Sequence, residues 1–174
     1  MELLAGAGTR RERLFGFNGK KDWDELVTLD INPDHKPDVV HDLTVLPLPF
    51  PDDTFDEIHF YEVLEHLGQQ GDYRAWFAEW SEWWRILKPG GVVCGTSPTA
   101  TSPWAWGDPG HTRIVSAEAM TFLSQSEYDA QIGKTPMTDY RFCYKADFVP
   151  LMMQTEGRQL AFALRAIKPA RIRI

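Results

Sequence analysis

A chain of 174 residues, 43% hydrophobic and 25% charged, has the make-up of a globular protein large enough to bury a core. Its formal net charge of −7 argues against a nucleic-acid partner, because gripping phosphates takes a basic face and the basic residues concentrate only in the short local set Arg10, Arg11, Arg13, Lys20 and Lys21. No apolar run approaches the ~20 residues that span a bilayer, the amino terminus has no secretory pattern, and Cys94 and Cys143 lack the number and spacing of a disulfide framework or zinc site, so the expectation is a cytoplasmic protein with no membrane segment and no metal.

The first predicted strand is Glu2–Ala5, running into the glycine turn of ELLAGAGTR. Leu26–Leu29 forms the second and ends at Asp30; residues 38–41 (DVVH) form the third and end at Asp42. Phe55–Phe60 is the fourth. A helix from about Asp72 to Leu87 follows, with Asp72 as N-cap and Lys88-Pro89-Gly90-Gly91 as its stop. Tyr73, Trp76, Phe77, Trp80, Trp83, Trp84 and Leu87 lie at three-and-four spacing and make one wide apolar stripe. Core packing explains that stripe; any rings left exposed would mark a partner surface, for which a homodimer through helix 72–87 is the simple expectation. Val92–Gly95 is the fifth strand, and a second helix begins near Ser116. From Lys145 to Lys168 two strands meet at Thr155-Glu156-Gly157-Arg158 as an antiparallel hairpin, and Pro150, which cannot donate to a ladder, assigns the first of them to a sheet edge. No repeat or linker divides the chain, so residues 1–174 are expected to form one α/β domain with a mostly parallel seven-stranded sheet.

Ligands of open parallel sheets bind at the carboxyl ends of the strands. Gly6-Ala7-Gly8, after the first strand, lets the backbone turn tightly and approach a ligand. Asp30, 22 positions beyond Gly8, suits the two hydroxyls of an adenosine ribose. Ile31 offers an adenine-packing surface, and Asp42-Leu43 an acceptor and an N–H for the adenine edge. The stretch from Tyr61 to His66 lies on the same rim. Singly, the glycine pair and each aspartate read equally well as turn residues. Their joint placement at successive strand ends points to a cofactor.

LLAGAG, LDINP, PDVVHDL, LPFPDDTFDEIHFYEVLEHL and RILKPGGVV stand in one order over residues 2–97, and the terminal hairpin carries FALRAIKP. Together they resemble a class I S-adenosylmethionine-dependent methyltransferase of the type 11-like group. The resemblance implies a Rossmann-like sheet of order 3-2-1-4-5-7-6 with strand 7 antiparallel and helices on both faces. It also implies S-adenosylmethionine as cofactor, with Ala5, Gly6, Ala7 and Gly8 along its methionine part and Asp30 on the ribose. Ile31 and Leu43 would meet the adenine, Asp42 the adenine amino group, and the backbone at Tyr61 and Glu62 the cofactor's amino group. Three departures stand out: Leu4 where the family usually has an acidic residue, Arg10 where glycine is common, and a missing amino-terminal helix.

Acceptor chemistry is expected from the loop SPTATSPWAWGDPGHTRI, residues 97–114, which is long and aromatic for a compact domain. Trp104 and Trp106 would wall a planar or apolar substrate, Asp108 would orient it, and His111 or His66 would serve as catalytic base. The structural alternatives are a turn at Asp108-Pro109-Gly110 and locally bonded histidines. His35, His41 and His59 read as structural, and Asp139-Tyr140-Arg141 acquires no role. The expected function is methyl transfer to a small-molecule or protein acceptor. The alternatives are a non-catalytic binding or assembly module on the same fold, or a nicotinamide-dependent oxidoreductase, against which the two-glycine turn and RILKPGGVV argue.

Overall fold

The structure, a computed structural model, describes residues 1–16 and 19–172. Seven strands form one sheet in the order β3-β2-β1-β4-β5-β7-β6. They are β1 (Glu2–Ala5), β2 (Leu26–Asp30), β3 (Val39–Val40), β4 (Phe55–Tyr61), β5 (Leu87–Pro98), β6 (Phe148–Glu156) and β7 (Gln159–Ala166). β1 pairs in parallel with β2 and β4, β4 with β5, and β7 is antiparallel to β5 and β6. This is the order expected, with strand 7 antiparallel. β6 is the edge, and the register shift between Pro150 and Met152 is how a residue without an N–H is absorbed. Gly157 (φ 59) and Arg158 make the two-residue turn of the hairpin.

Two strands differ in extent from expectation. β3 shortens to two residues because the Asp38 side chain takes over the ladder: its Oδ2 accepts from the Thr28 N–H (2.8 Å) and hydroxyl (2.7 Å). β5 begins at Leu87, which pairs with Phe55, and an irregularity between Phe55 and Glu57 accommodates the Pro-Gly-Gly stretch.

Helix α1 (Tyr73–Ile86) is capped by Asp72, whose Oδ1 accepts from the Ala75 N–H at 3.1 Å. Its stripe packs on Ile58, Phe60 and Val93 in the main core, which also takes in Phe148 and Phe162. Trp80 and Trp83 are 0% exposed. Trp76 and Trp84 are half-buried, Trp76 under the Arg113 guanidinium and Trp84 donating its Nε1–H to Ile167 O. Of the rings on which a homodimer through residues 72–87 would rest, Trp80 and Trp83 face the core, while Trp76 and Trp84 keep part of their surface exposed. The expected helix after Ser116 is two short ones, α3 (Ala117–Thr121) and α4 (Gln125–Gln131). Ser116 caps α3 through the Ala119 N–H, and the break frees the Leu123 carbonyl for Phe148 N–H and the Tyr144 hydroxyl.

A small apolar cluster stands apart from the main core. In it Val92, Cys94 and Ala163 pack on Phe15, Leu151 and Met152, and no helix contributes to it among the described residues. Beside it lies a buried polar network. Arg13 pairs with Glu2 Oε1 (3.0 Å) and Glu57 Oε2 (2.6 Å), and His59 Nε2 lies 3.0 Å from the same Glu57 oxygen. Trp23 joins the same side through its Nε1–H, which donates to Arg11 O at 2.6 Å, and through its edge-to-face contact with His59. Among the described residues no helix is long and apolar enough to cross a membrane.

Because Trp83 is wholly enclosed, Trp83→Ala is expected to lower unfolding free energy by about 3–5 kcal/mol, measured by urea denaturation.

Candidate active site

β1 delivers the chain into Gly6-Ala7-Gly8 at the carboxyl end of the sheet. Gly6 (φ 66) has no room for a side chain, as a Cβ there would lie 2.6 Å from Val63 Cγ2. This close approach brings the turn after β1 against the loop after β4. Gly8 (φ 53) faces open space. Its N–H donates to Asp30 Oδ2 at 2.7 Å, while Asp30 Oδ1 accepts from the Asn32 N–H at 2.8 Å and lies 3.2 Å from His35 Nδ1. Burial works to raise the Asp30 pKa, but the Asn32 and Gly8 N–H groups, together with His35, outweigh it and hold the carboxyl below its ordinary value. Arg11, near the slot where a third glycine would fall, donates to the carbonyls of Ala7 (3.0 Å), Gly8 (2.5 Å) and His35 (2.9 Å). Ala5 is enclosed in β1 beneath this turn, and Leu4 is buried beside it.

The remaining cofactor candidates stand at neighbouring strand ends. Ile31 is 65% exposed on the rim, free to cover a planar ligand. The Leu43 side chain lies in the main core, so its backbone is what it can offer. Asp42 Oδ1 accepts from the Thr44 N–H and hydroxyl, closing a turn, and the other carboxylate oxygen is left for a ligand. The Tyr61 hydroxyl meets His59 Nδ1 (2.8 Å) and donates to Phe15 O (3.2 Å); burial pushes its pKa up to about 12. Glu62 adopts φ 57, unusual for a non-glycine residue, and its Oε1 accepts from Gln159 Nε2 at 2.9 Å.

An open cavity of about 550 Å³ adjoins Glu62 and is walled by His66, Trp104, Asp108, His111 and Gln159. Trp104 and Trp106 lie within the single turn α2 (Trp104–Gly107) and are 70% and 73% exposed. Trp104 lines the cavity. Trp106 does not; it donates its Nε1–H to Ala100 O instead. Asp108 Oδ1 accepts from the Gly110 N–H, so Asp108-Pro109-Gly110 is a turn, and its Oδ2 lies 4.0 Å from His111 Nε2. The rings of His66 and His111 meet edge to face, centroids 4.5 Å apart, and His66 Nδ1 is 3.1 Å from Gly110 O.

Sequence reasoning missed three residues that build this wall. Glu65 is 2% exposed and neither carboxylate oxygen has a hydrogen-bond partner. Burial, reinforced by the Glu62 charge, pushes its pKa up to about 7. Ser97 lies close enough to favour the Glu65 charge without completing a hydrogen bond, and its own hydroxyl is unpartnered. Arg113 donates from Nε to Leu64 O (2.8 Å) and from Nη2 to Glu79 Oε2 (2.6 Å), which, with Thr112 N–H on Glu65 O (2.9 Å), seats the loop after β5 against Leu64–His66. Only Glu65 left a trace in the sequence, beside His66 on the predicted rim.

A family model described as a methyltransferase domain matches residues 3–95. No protein of curated function matches the chain. Among solved structures, a SAM-dependent methyltransferase from Archaeoglobus fulgidus shares the fold at TM-score 0.56 and 17% identity, over 94% of this chain and 85% of that one. A Haloferax volcanii methyltransferase, solved with the Trm112 methyltransferase activator, aligns at TM-score 0.58 and 16% identity over 95% and 82%. The N-methyltransferase NodS of Bradyrhizobium japonicum, in complex with S-adenosyl-L-homocysteine, aligns at 0.55 and 16% over 95% and 76%. At such identities these likenesses establish the fold.

Two outcomes test the glycine turn and its carboxylate. Gly6→Ala should cost about 1–3 kcal/mol more than Gly8→Ala in urea unfolding, because only Gly6 has a neighbour to displace. The lowered Asp30 pKa means its stabilisation is complete above about pH 4, the ordinary carboxylate value, and fades as pH falls through the depressed folded value. The stability gap between the unaltered chain and Asp30→Asn should therefore narrow on acidification below pH ~4; a constant gap would contradict it.

Proposed function

The chain belongs to the methyltransferase-domain family, and on that premise we propose that residues 1–174 form one domain that transfers a methyl group from S-adenosylmethionine to a small-molecule or protein acceptor. The observation that carries the reading is the Asp30 carboxylate bonded to the Gly8 N–H at the mouth of β1, one ångström-scale assembly that joins a ribose acceptor to a turn with no Cβ in the way. The donor set fits the cofactor: a buried carboxylate for the ribose hydroxyls, the Ala5–Gly8 backbone for the methionine part, Ile31, Asp42 and the Leu43 backbone for adenine, and the Tyr61–Glu62 backbone for the amino group. Bound there, S-adenosylmethionine supplies a methyl group activated by its sulfonium sulfur.

The protein's own task is positioning and proton handling, since an in-line displacement needs little covalent help. Trp104 presents a flat wall to an acceptor in the cavity beside Glu62, with Trp106 exposed on the same turn of helix. His111, with Asp108 at 4.0 Å, and His66 are the groups placed to accept a proton from an oxygen or nitrogen acceptor. Cys94 and Cys143 are not joined in a disulfide, which supports a cytoplasmic setting.

Thermal unfolding with S-adenosylmethionine, S-adenosylhomocysteine and NAD tests this directly. Either sulfur ligand at ~100 times its dissociation constant should add about 2.7 kcal/mol of stability, NAD none, and Asp30→Ala should abolish the effect. Stabilisation by NAD alone, or by none of the three, would overturn the reading.

A further inference from the structure

We propose that Glu65, His66 and His111 form a binding site for one divalent first-row metal ion on the wall of the acceptor cavity. Each of the three offers a ligand atom, and these atoms lie within 4.8 Å of one another. Two imidazoles and a carboxylate make a mixed nitrogen–oxygen set suited to zinc, cobalt or manganese, and three protein ligands leave coordination positions open.

What separates this trio from a chance cluster is its unmet bonding. Glu65 is 2% exposed, yet both its oxygens lack a partner, an arrangement that costs several kcal/mol unless a cation or proton joins it. The nearby guanidinium of Arg113 favours the Glu65 charge through space, but its Nε and Nη2 are committed to Leu64 O and Glu79 and its Nη1, also without a partner, makes no hydrogen bond to Glu65. His111 Nδ1 is likewise buried without a partner. The remaining nitrogens are oriented from outside. His66 Nδ1 sits 3.1 Å from the Gly110 carbonyl, an N–H-to-carbonyl contact that leaves Nε2 its lone pair, and His111 Nε2 faces Asp108 Oδ2 at 4.0 Å. Metal-bound histidines characteristically donate their second N–H to such carbonyls and carboxylates. A second trio, Glu57, His59 and Cys94, is equally compact but answers the question differently: there Arg13 and His59 already satisfy the carboxylate.

His66 and His111 line the cavity beside Glu62 and Trp104, so an ion held by them would be reachable from it. Resting on the methyltransfer reading, this specifies a hydroxyl acceptor. A hydroxyl bound to the ion has a lowered pKa and releases its proton to solvent through the open cavity. Its oxygen then forms the bond to the methyl carbon as the carbon–sulfur bond breaks, with the electron pair left on sulfur. In that arrangement His66 and His111 act as ligands, and the ion supplies the activation otherwise asked of a histidine base.

The test is calorimetric titration of the chelator-treated full chain with Zn²⁺, Mn²⁺, Co²⁺ and Mg²⁺. One ion per chain is expected, with affinity falling about tenfold or more in His66→Ala, His111→Ala and Glu65→Gln. His66 is exposed, so His66→Ala keeps the test valid if the buried variants unfold. Co²⁺ should give a visible absorption band that disappears in the histidine variants. Failure of every ion to bind stoichiometrically, or binding unchanged in His66→Ala and His111→Ala, overturns the site. Stabilisation of the unaltered chain by S-adenosylhomocysteine is measured in parallel: its failure counts against the methyltransfer reading, whereas the ion titrations judge the metal site alone.

Discussion

The buried pair between Arg113 and Glu79 fixes the acceptor side of this molecule. Both side chains are 4% exposed, 2.6 Å apart, and the guanidinium also lies over the Trp76 ring and donates to Leu64 O. Pairs of this kind add little net stability against an apolar substitute, but an unpaired buried charge is so costly that the geometry admits one arrangement. Here that arrangement pins a loop after β5 to a helix after β4. His111, two residues upstream of Arg113, arrives beside His66 as a consequence. The chemistry of the wall is thus set by a charge that takes no part in it.

The cofactor side is organised by a carboxylate in a comparable way. Both Asp30 oxygens already accept hydrogen bonds from the backbone, yet each oxygen has a second lone pair. On the proposed reading a ribose would meet a group whose position is fixed before any ligand arrives, which spares the ordering cost of binding. Arg11 contributes from above by collecting the carbonyls of the same turn. An arginine can do what a third glycine would not, because this turn has backbone oxygens to satisfy and no pyrophosphate to admit.

Local chemistry explains what was legible in the sequence. Strand ends, the Asp72 cap, the Pro150 edge and the α1 stripe each depend on residues close along the chain, and each was readable. The proximity of Glu65 to His111 depends on where a loop more than forty residues later lands, and Arg113, which has no local signature, pins that loop. Glu65 itself looked like one more charge on the rim, since a sequence does not display burial. The buried polar network was illegible for a related reason: Arg13, Glu57 and His59 are polar, and polar residues signal a buried layer only once their partners are known. Trp106 illustrates the converse: expected to wall a substrate, it is an exposed ring that turns its polar edge to Ala100 instead of lining the cavity beside Glu62.

The terminal hairpin carries a consequence for the order in which the molecule is made. β7 lies between β5 and β6, and its first residue, Gln159, holds Glu62, while the Thr99 N–H donates to Arg158 O. As the chain leaves the ribosome, the cofactor half from β1 to β4 has all its strands early, but β5 waits as an open sheet edge for the last strand synthesised. The acceptor wall is completed by that same insertion. Completion of that wall is thereby tied to the arrival of the hairpin, so a nascent chain can assemble the turns after β1 and β2 well before the cavity beside Glu62 has all its sides.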